Sequence, residues 1–352
     1  MKVILSKNLE QKPADESKLG FGKIFTDHMF TMEYEEGKGW HNPTIKPYAP
    51  IEIDPATSVL HYAQGIFEGM KAFIDVNGEI ALFRPSENFK RMNRSAERMC
   101  IPQFDEQTAM EGLKELIKVD RDWIPKKEGT ALYIRPTIVA TDAMLGVHAA
   151  KKYLFFIILS PVGAYYAHGL EPVKIYVEDF YVRSAVGGTG EAKCIGNYAA
   201  SMKAAEVAEK KGFDQVLWLD AKDKKYVEEV GSMNIFFVIG DTVVTPMLTG
   251  SILPGITRKS AIEILKSKNI KVEERRISVD ELEKAADCGQ LKEAFGTGTA
   301  AVISPVGMIE YKGKDITING GAMGEITKML YDEITGIQTG KVADKFGWIE
   351  RL

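Results

Sequence analysis

The sequence predicts an α/β protein of the α+β type, built as two domains, and three observations lead there. The chain has 352 residues, about twice a typical domain length, which favours two cores over one. Short apolar runs of strand character are interleaved with segments of helical periodicity. Between them, SPVGAYYAHGLEP at 160–172 gathers turn formers between two strand-like runs, as an interdomain connection does. The expected boundaries are 1–160 for a small first domain with an extended N-terminal arm, 161–173 for the linker and 174–352 for a larger second domain.

Residues 1 to about 50, with EEGKGW and HNPTIKPYAP, are rich in Lys, Glu, Gly and Pro, so an arm with little regular structure is expected there. Strands are expected at 79–84, 132–139 and 153–159, with helices near 86–99 and 105–119. The second domain opens with the strand VKIYVEDF. It continues through GGTGEAK into an Ala-rich helix, GNYAASMKAAEVAEKKG, stopped by Gly212. QVLWL and YVEEV flank the turn DAKDKK as a hairpin, and NIFFVIG with DTVVTP forms another. GSILPGITRKSAIEIL is a loop entering a helix near Thr257.

Composition removes several classes of function. Hydrophobic residues make up 45% and charged residues 27%, an ordinary globular balance, and the net charge of -4 gives no footprint for a nucleic-acid backbone. Cys100, Cys194 and Cys288 stand far apart with no CxxC pair, and the five histidines show no ligand spacing, so neither a disulfide framework nor a metal site is expected. The longest apolar run, Tyr153 to Leu159, is a strand length and not a membrane span. The polar, acidic N-terminus does not read as a targeting peptide, and cytoplasmic residence is expected by default.

Two clusters are capable of chemistry. GGTGEAKC at 187–194 looks at first like a phosphate loop, but Ala192 precedes the lysine where a Walker loop needs Gly, and Lys193 stands where a dinucleotide fingerprint needs Gly. A lysine at a glycine-rich junction remains, and on spacing alone it reads as a solvated side chain. The second cluster runs through EEVGSMN to LPGITR. In its hairpin Glu228 and Glu229 point to opposite faces, and pattern does not choose between them. The loop entering the helix at Ile256 suits an anion, because free N–H groups and the positive helix end converge there. It is equally an ordinary strand-to-helix turn.

With GGTGEAKCIGNY, EVGSMNIFF, LPGITR and FGTGTAA, and with HYAQGIFEGMKAF, LFRPSENFKRMNRSAERM, LYIRPT and LSPVGAYY in the first half, the sequence resembles the branched-chain amino acid aminotransferases, which are fold type IV pyridoxal phosphate enzymes. The likeness runs from about residue 20 to 350. It implies a two-domain fold with a small N-terminal α/β domain and a larger, cofactor-binding C-terminal domain containing a pseudo-barrel of strands and helices. It also implies a ping-pong exchange of amino groups between Leu, Ile or Val and 2-oxoglutarate.

Residue by residue, the resemblance makes Lys193 the catalytic lysine, bound to pyridoxal 5'-phosphate as a Schiff base and then shuttling the substrate proton. Glu229 would keep the pyridine nitrogen protonated and Tyr198 would bond the ring's phenolic oxygen. Arg94, Ile256, Thr257 and Thr299 would hold the phosphate, with Ser232 and Leu253 completing the cofactor set. Periodicity alone puts Arg94, with Arg91 and Arg98, opposite the stripe of Phe89, Met92, Ala96 and Met99, where solvated side chains lie.

For substrate, the resemblance places the backbone of Thr299 and Ala300 on the α-carboxylate, helped by Tyr62. Phe67, Tyr133, Val147 and Tyr165 would line an apolar slot, and Arg135 would meet the side chain of glutamate. Each of these is also compatible with an ordinary core position. Ala301 and Ser304 stand where some animal relatives carry a redox CxxC, so no thiol switch is expected there. A homodimer is expected from the family, with 21–40 and 146–148 suited to reaching a neighbour. Other fold type IV activities, a D-amino acid aminotransferase or an aminodeoxychorismate lyase, are the alternatives, and a non-catalytic ligand-binding descendant is a third.

Overall fold

The computed structural model describes residues 1–163 and 170–352. In chain order the first elements are β1 (Lys2–Val3), β2 (His28–Glu35), β3 (Gly39–Pro47), α1 (Ser58–Tyr62), β4 (Gly65–Phe67), β5 (Met70–Ile74) and β6 (Ile80–Phe83). Next come α2 (Pro85–Arg98), α3 (Glu106–Val119), β7 (Ala131–Ala140), β8 (Lys152–Val162), β9 (Val173–Glu178), α4 (Ile195–Lys210), β10 (Gln215–Leu219) and β11 (Val227–Val230). The rest are β12 (Met233–Ile239), β13 (Thr242–Thr245), α5 (Ile256–Ser267), β14 (Lys271–Glu274), α6 (Val279–Asp287), β15 (Leu291–Gly298), β16 (Val302–Tyr311), β17 (Lys314–Thr317), α7 (Glu325–Gln338) and β18 (Ile349–Arg351).

These elements form two compact units. The first comprises Met1–Tyr165, Ala192–Gly196 and Gly336–Leu352, and the second Tyr166–Glu191 and Asn197–Thr335. In the first unit the sheet order is β1-β3-β2-β8-β7-β5-β6-β18, with β4 also paired to β7. Along β7 the side chains alternate as the pleat requires, so Leu132, Ile134 and Ile138 enter the core while Tyr133, Arg135 and Thr137 take the other face. α2 and α3 bury Phe89, Met92, Leu113 and Leu116 against Phe30 and Phe155 of the sheet. Asp105 caps α3 by accepting the Thr108 N–H at 2.8 Å.

The second unit is built on a closed ring of strands. β11, β10, β9, β16, β15 and β12 follow one another as hydrogen-bonded neighbours, and β12 pairs back to β11. That closure removes the sheet's open edges over these six strands. Ile175, Leu217, Ile235, Phe237 and Ile309 fill its core with no exposure. The α/β class and the barrel-like second half expected from the sequence are both present.

Two expectations are corrected. The arm is not irregular to residue 50, because β2 and β3 pair antiparallel and β2 joins β8. Met29, Phe30 and Met32 of β2 are buried, and the turn at Glu36 to Lys38 that looked like loop composition is the hairpin's connection. The boundary at the C-terminus also differs from 174–352. β18 pairs with β6, and Trp348 packs edge-on to Phe83 with centroids 5.6 Å apart, which ties residues 336–352 to the first unit. Of the expected linker 161–173, Pro161 and Val162 are the end of β8, and 164–169 lie outside the described residues.

Candidate active site

In the first unit, Lys193 is fixed through its backbone. Its N–H donates to Ser95 Oγ at 2.9 Å, and its carbonyl accepts the Phe67 N–H at 3.0 Å. A bridge between Ile66 and Cys194 continues this pairing. The lysine amine sits 5.0 Å from the centroid of the Phe67 ring, and the Arg135 guanidinium 4.5 Å from the same centroid. One aromatic ring thus meets two cationic side chains, a favourable electrostatic arrangement. Arg135 also donates through Nη2 to Tyr133 Oη at 3.0 Å, and its Nε is buried with no hydrogen-bond partner among the described residues.

A glycine lies beside this cluster. A Cβ at Gly69 would stand 2.2 Å from Tyr133 Oη, so no other residue lets Tyr133 lie where it does. Phe21 packs against Tyr133 from the arm, with centroids 4.9 Å apart.

Behind Phe67 lies a fully buried carboxylate that the sequence did not announce. Glu68 accepts from Arg91 Nε at 2.7 Å, Arg91 Nη2 at 2.8 Å and Asn88 Nδ2 at 2.8 Å. Burial pushes its carboxyl up, but the Arg91 guanidinium, the Lys193 charge and the Asn88 amide outweigh burial and hold it below the usual carboxylate value. Arg91 is therefore not on the solvated face of α2 as periodicity indicated. It is buried because its charge has a carboxylate to meet. On β5, opposite Tyr133, Lys71 is buried and its amine is lowered by that burial to about 8.

The other expected residues of this unit are on its surface or outside the described residues. Tyr62 ends α1 and is exposed, Arg94 is exposed on α2 and Val147 is 86% exposed after β7. None of the three is joined to the cluster by a hydrogen bond, ion pair or ring contact among the described residues. Tyr165 lies outside the described residues.

In the second unit, the register sets Glu229 of β11 beside Asn234 of β12, and Asn234 beside Thr297 of β15. This row is a consequence of strand pairing and spans 68 positions of sequence, from 229 to 297. Glu229 is 3% exposed, accepts the Leu253 N–H at 2.7 Å and pairs with Arg183 Nε at 3.1 Å. Asn234 Nδ2 donates to the Leu253 carbonyl at 2.9 Å, and a Cβ on Gly255 would stand 2.0 Å from Asn234 Oδ1. The LPGIT loop is thereby pressed onto the sheet, with Leu253 at Glu229 and Ile256 and Thr257 opening α5.

Gly255 caps α5 with no side-chain hydrogen bond, so no capping side chain satisfies the first N–H groups at the positive end of the helix. Thr297 Oγ1 is buried with no hydrogen-bond partner among the described residues. Thr299 and Ala300 form the turn that follows β15, and Tyr198 is half-buried on α4. Ser232 is exposed in the β11–β12 turn. Arg183 and Thr297 were missed at the level of sequence. The signal for Arg183 was a lone arginine shortly before GGTGEAK, and Thr297 had none beyond lying two residues before Thr299.

Residues 65–309 match the model of the family described as amino-transferase class IV. Over 348 residues, 99% of this chain and 96% of the other, the chain is 57% identical to branched-chain-amino-acid aminotransferase 2 of Bacillus subtilis (strain 168). Among solved structures it is similar to the branched-chain amino acid aminotransferase from Escherichia coli, at 26% identity and a TM-score of 0.75, covering 92% of this chain and 98% of that one. It is also similar to the branched-chain aminotransferase from the thermophilic archaeon Thermoproteus uzoniensis with norvaline, at 25% identity and a TM-score of 0.76 over 92% of this chain and 99% of that one. No helix among the described residues is long and apolar enough to cross a membrane. On the family match and the near-full-length identity, the chain belongs to the class IV aminotransferases.

Proposed function

We propose that this aminotransferase exchanges the amino group of branched-chain L-amino acids with 2-oxoglutarate, using pyridoxal 5'-phosphate carried on Lys193. The observation that carries the substrate side is the cluster of Lys193, Phe67 and Arg135. It offers an amine, an apolar ring and a guanidinium whose buried Nε lacks a protein partner among the described residues. The ring suits an aliphatic side chain, and the guanidinium suits the second carboxylate of glutamate. Such a slot separates Leu, Ile and Val only modestly, since one methylene is worth about 1 to 3 kcal/mol.

The second unit's residues fit the coenzyme. Its phosphate would meet the uncapped start of α5 at Ile256 and Thr257, with Arg94 and Thr299, and the unpartnered Thr297 Oγ1 adds a polar atom to the same row as Glu229. Glu229, braced by Arg183 and the Leu253 N–H, would hold the ring nitrogen's proton, and Tyr198 would bond the phenolic oxygen. Ser232 and Leu253 would complete the set. When bound, the coenzyme supplies an electron-accepting ring that stabilises negative charge at the substrate Cα. Lys193 Nζ would carry the proton between the substrate Cα and the C4′ carbon of the coenzyme. Tyr62, Tyr133, Val147, Tyr165 and the turn at Thr299 and Ala300 would bind substrate. The same reading makes the two units a small domain and a cofactor-carrying domain, and carries with it a homodimer and cytoplasmic residence.

The test is a visible spectrum with and without leucine, followed by assay of glutamate formed from leucine and 2-oxoglutarate. The purified protein is expected to be yellow and the colour to be fixed covalently by borohydride. Lys193→Ala is expected to lose covalent fixation and nearly all turnover. Covalent fixation surviving in Lys193→Ala, or no glutamate from leucine, isoleucine or valine, would defeat the proposal.

A further inference from the structure

On the second unit a groove of about 400 Å³ opens beside β11. Of the described residues assigned above to cofactor or substrate, none lines it. Its floor is Glu228, the strand neighbour of Glu229 that faces the other way. Glu228 is 5% exposed; its Oε1 accepts from Ser251 Oγ, and its Oε2 is buried with no hydrogen-bond partner among the described residues. A buried carboxyl oxygen left unpaired is costly, and a donor from outside the chain would relieve it. Burial holds this carboxyl above the usual carboxylate value, although Ser251 and Arg183 pull it down.

The walls supply complementary chemistry. Arg276 lies over the Tyr226 ring at 5.1 Å, is exposed and forms no ion pair among the described residues. Val186, Met247 and Ile252 give apolar surface. Asp220 also lines the groove, but its carboxylate is occupied by the N–H groups of Asp223, Lys225 and Tyr226. Among the described residues, one buried oxygen thus lacks a donor, one exposed guanidinium lacks an anion, and aliphatic side chains are available to a third group.

We propose that this groove binds a small α-amino acid with an aliphatic side chain, its ammonium donating to Glu228 Oε2 and its carboxylate meeting Arg276. The site is an effector site, because one loop holds both glutamates. Ser251 donates to Glu228, Leu253 donates to Glu229 at 2.7 Å, and Arg183 joins Glu229 to the Ser251 carbonyl. A ligand that engages Glu228 acts on the loop that sets Glu229.

The probe is 1-aminocyclopentanecarboxylate, which has no Cα hydrogen and is not consumed. Equilibrium dialysis against the holoenzyme is expected to give two equivalents per chain, one at the groove and one at the transamination site. Glu228→Gln and Arg276→Ala are each expected to weaken one of the two by roughly tenfold or more while leaving the other. Cyclopentylamine and cyclopentanecarboxylate, each lacking one charged end, are expected to bind the groove weakly. A single equivalent in the wild type that survives both substitutions overturns the proposal, as do two equivalents that survive both. The visible band recorded on the same samples keeps the two proposals apart. Its absence counts against the cofactor alone, since an equivalent lost in Glu228→Gln still supports the groove.

Discussion

The backbone N–H of Lys193 donates to the hydroxyl of Ser95, a residue 98 positions earlier and 1% exposed. With the Phe67 N–H on its carbonyl, the lysine's backbone is held on both sides and only its side chain is left to move. Ser95→Ala leaves a part-buried donor unsatisfied, at a cost of about 1 to 3 kcal/mol. The expected result is a lower urea midpoint with an unchanged slope, together with slower amine transfer. A wild-type midpoint would show that the bond contributes nothing.

Breaking the Glu68 and Arg91 pair is expected to be more damaging. Both are buried, and removing one partner strands the other's charge, which typically costs about 3 to 5 kcal/mol. Glu68→Gln and Arg91→Met should each lose that much, whereas the double variant should lose clearly less than the sum. Chemical denaturation of the four proteins measures the coupling. Strict additivity would mean that the pair does not act as a pair.

Lys71 has the opposite sign. Its amine is lowered by burial from 10.5 to about 8, so the folded chain binds fewer protons than the unfolded chain between those values. Stability is therefore expected to rise with pH from about 8 to about 10.5, and below that window the buried amine costs about 3 kcal/mol. Lys71→Met should be more stable at neutral pH and should flatten the profile. Thermal melts across the window check it, with a parallel wild-type and variant profile as the disproof.

Gly255→Ala tests the loop that carries Leu253 to Thr257. Its Cβ would stand 2.0 Å from Asn234 Oδ1, so either the loop or Asn234 must shift. A displacement of about 1 Å at a positioning element is enough for a rate loss of roughly a hundredfold. Turnover is expected to fall by roughly that order, with weaker retention of coenzyme on dialysis and only a modest loss of stability. Normal turnover would remove this loop from the site.

Local pattern carried much of the fold. β6, β7, β8, α2 and α3 were legible within a residue or three of their ends, because period and punctuation are properties of neighbouring residues. The β10–β11 and β12–β13 hairpins were legible for the same reason. β2 and β3 were not, since glycine and lysine at their turn resemble loop composition until the pairing with β8 is known.

For the site, motif likeness carried Lys193, Glu229 and the LPGIT loop as candidates, while strand pattern put Glu228 and Glu229 on opposite faces without choosing between them. Tertiary structure alone decided that Glu229 has Arg183 and the Leu253 N–H while Glu228 keeps an oxygen unpartnered among the described residues. It also decided that Arg91 is buried on Glu68, that Lys71 is an enclosed amine, and that β18 returns to β6. Each of these depends on what a distant segment brings to the same place. A side chain's charge state and partner are set by its surroundings in space, and an amino-acid order encodes those surroundings only through the folded chain.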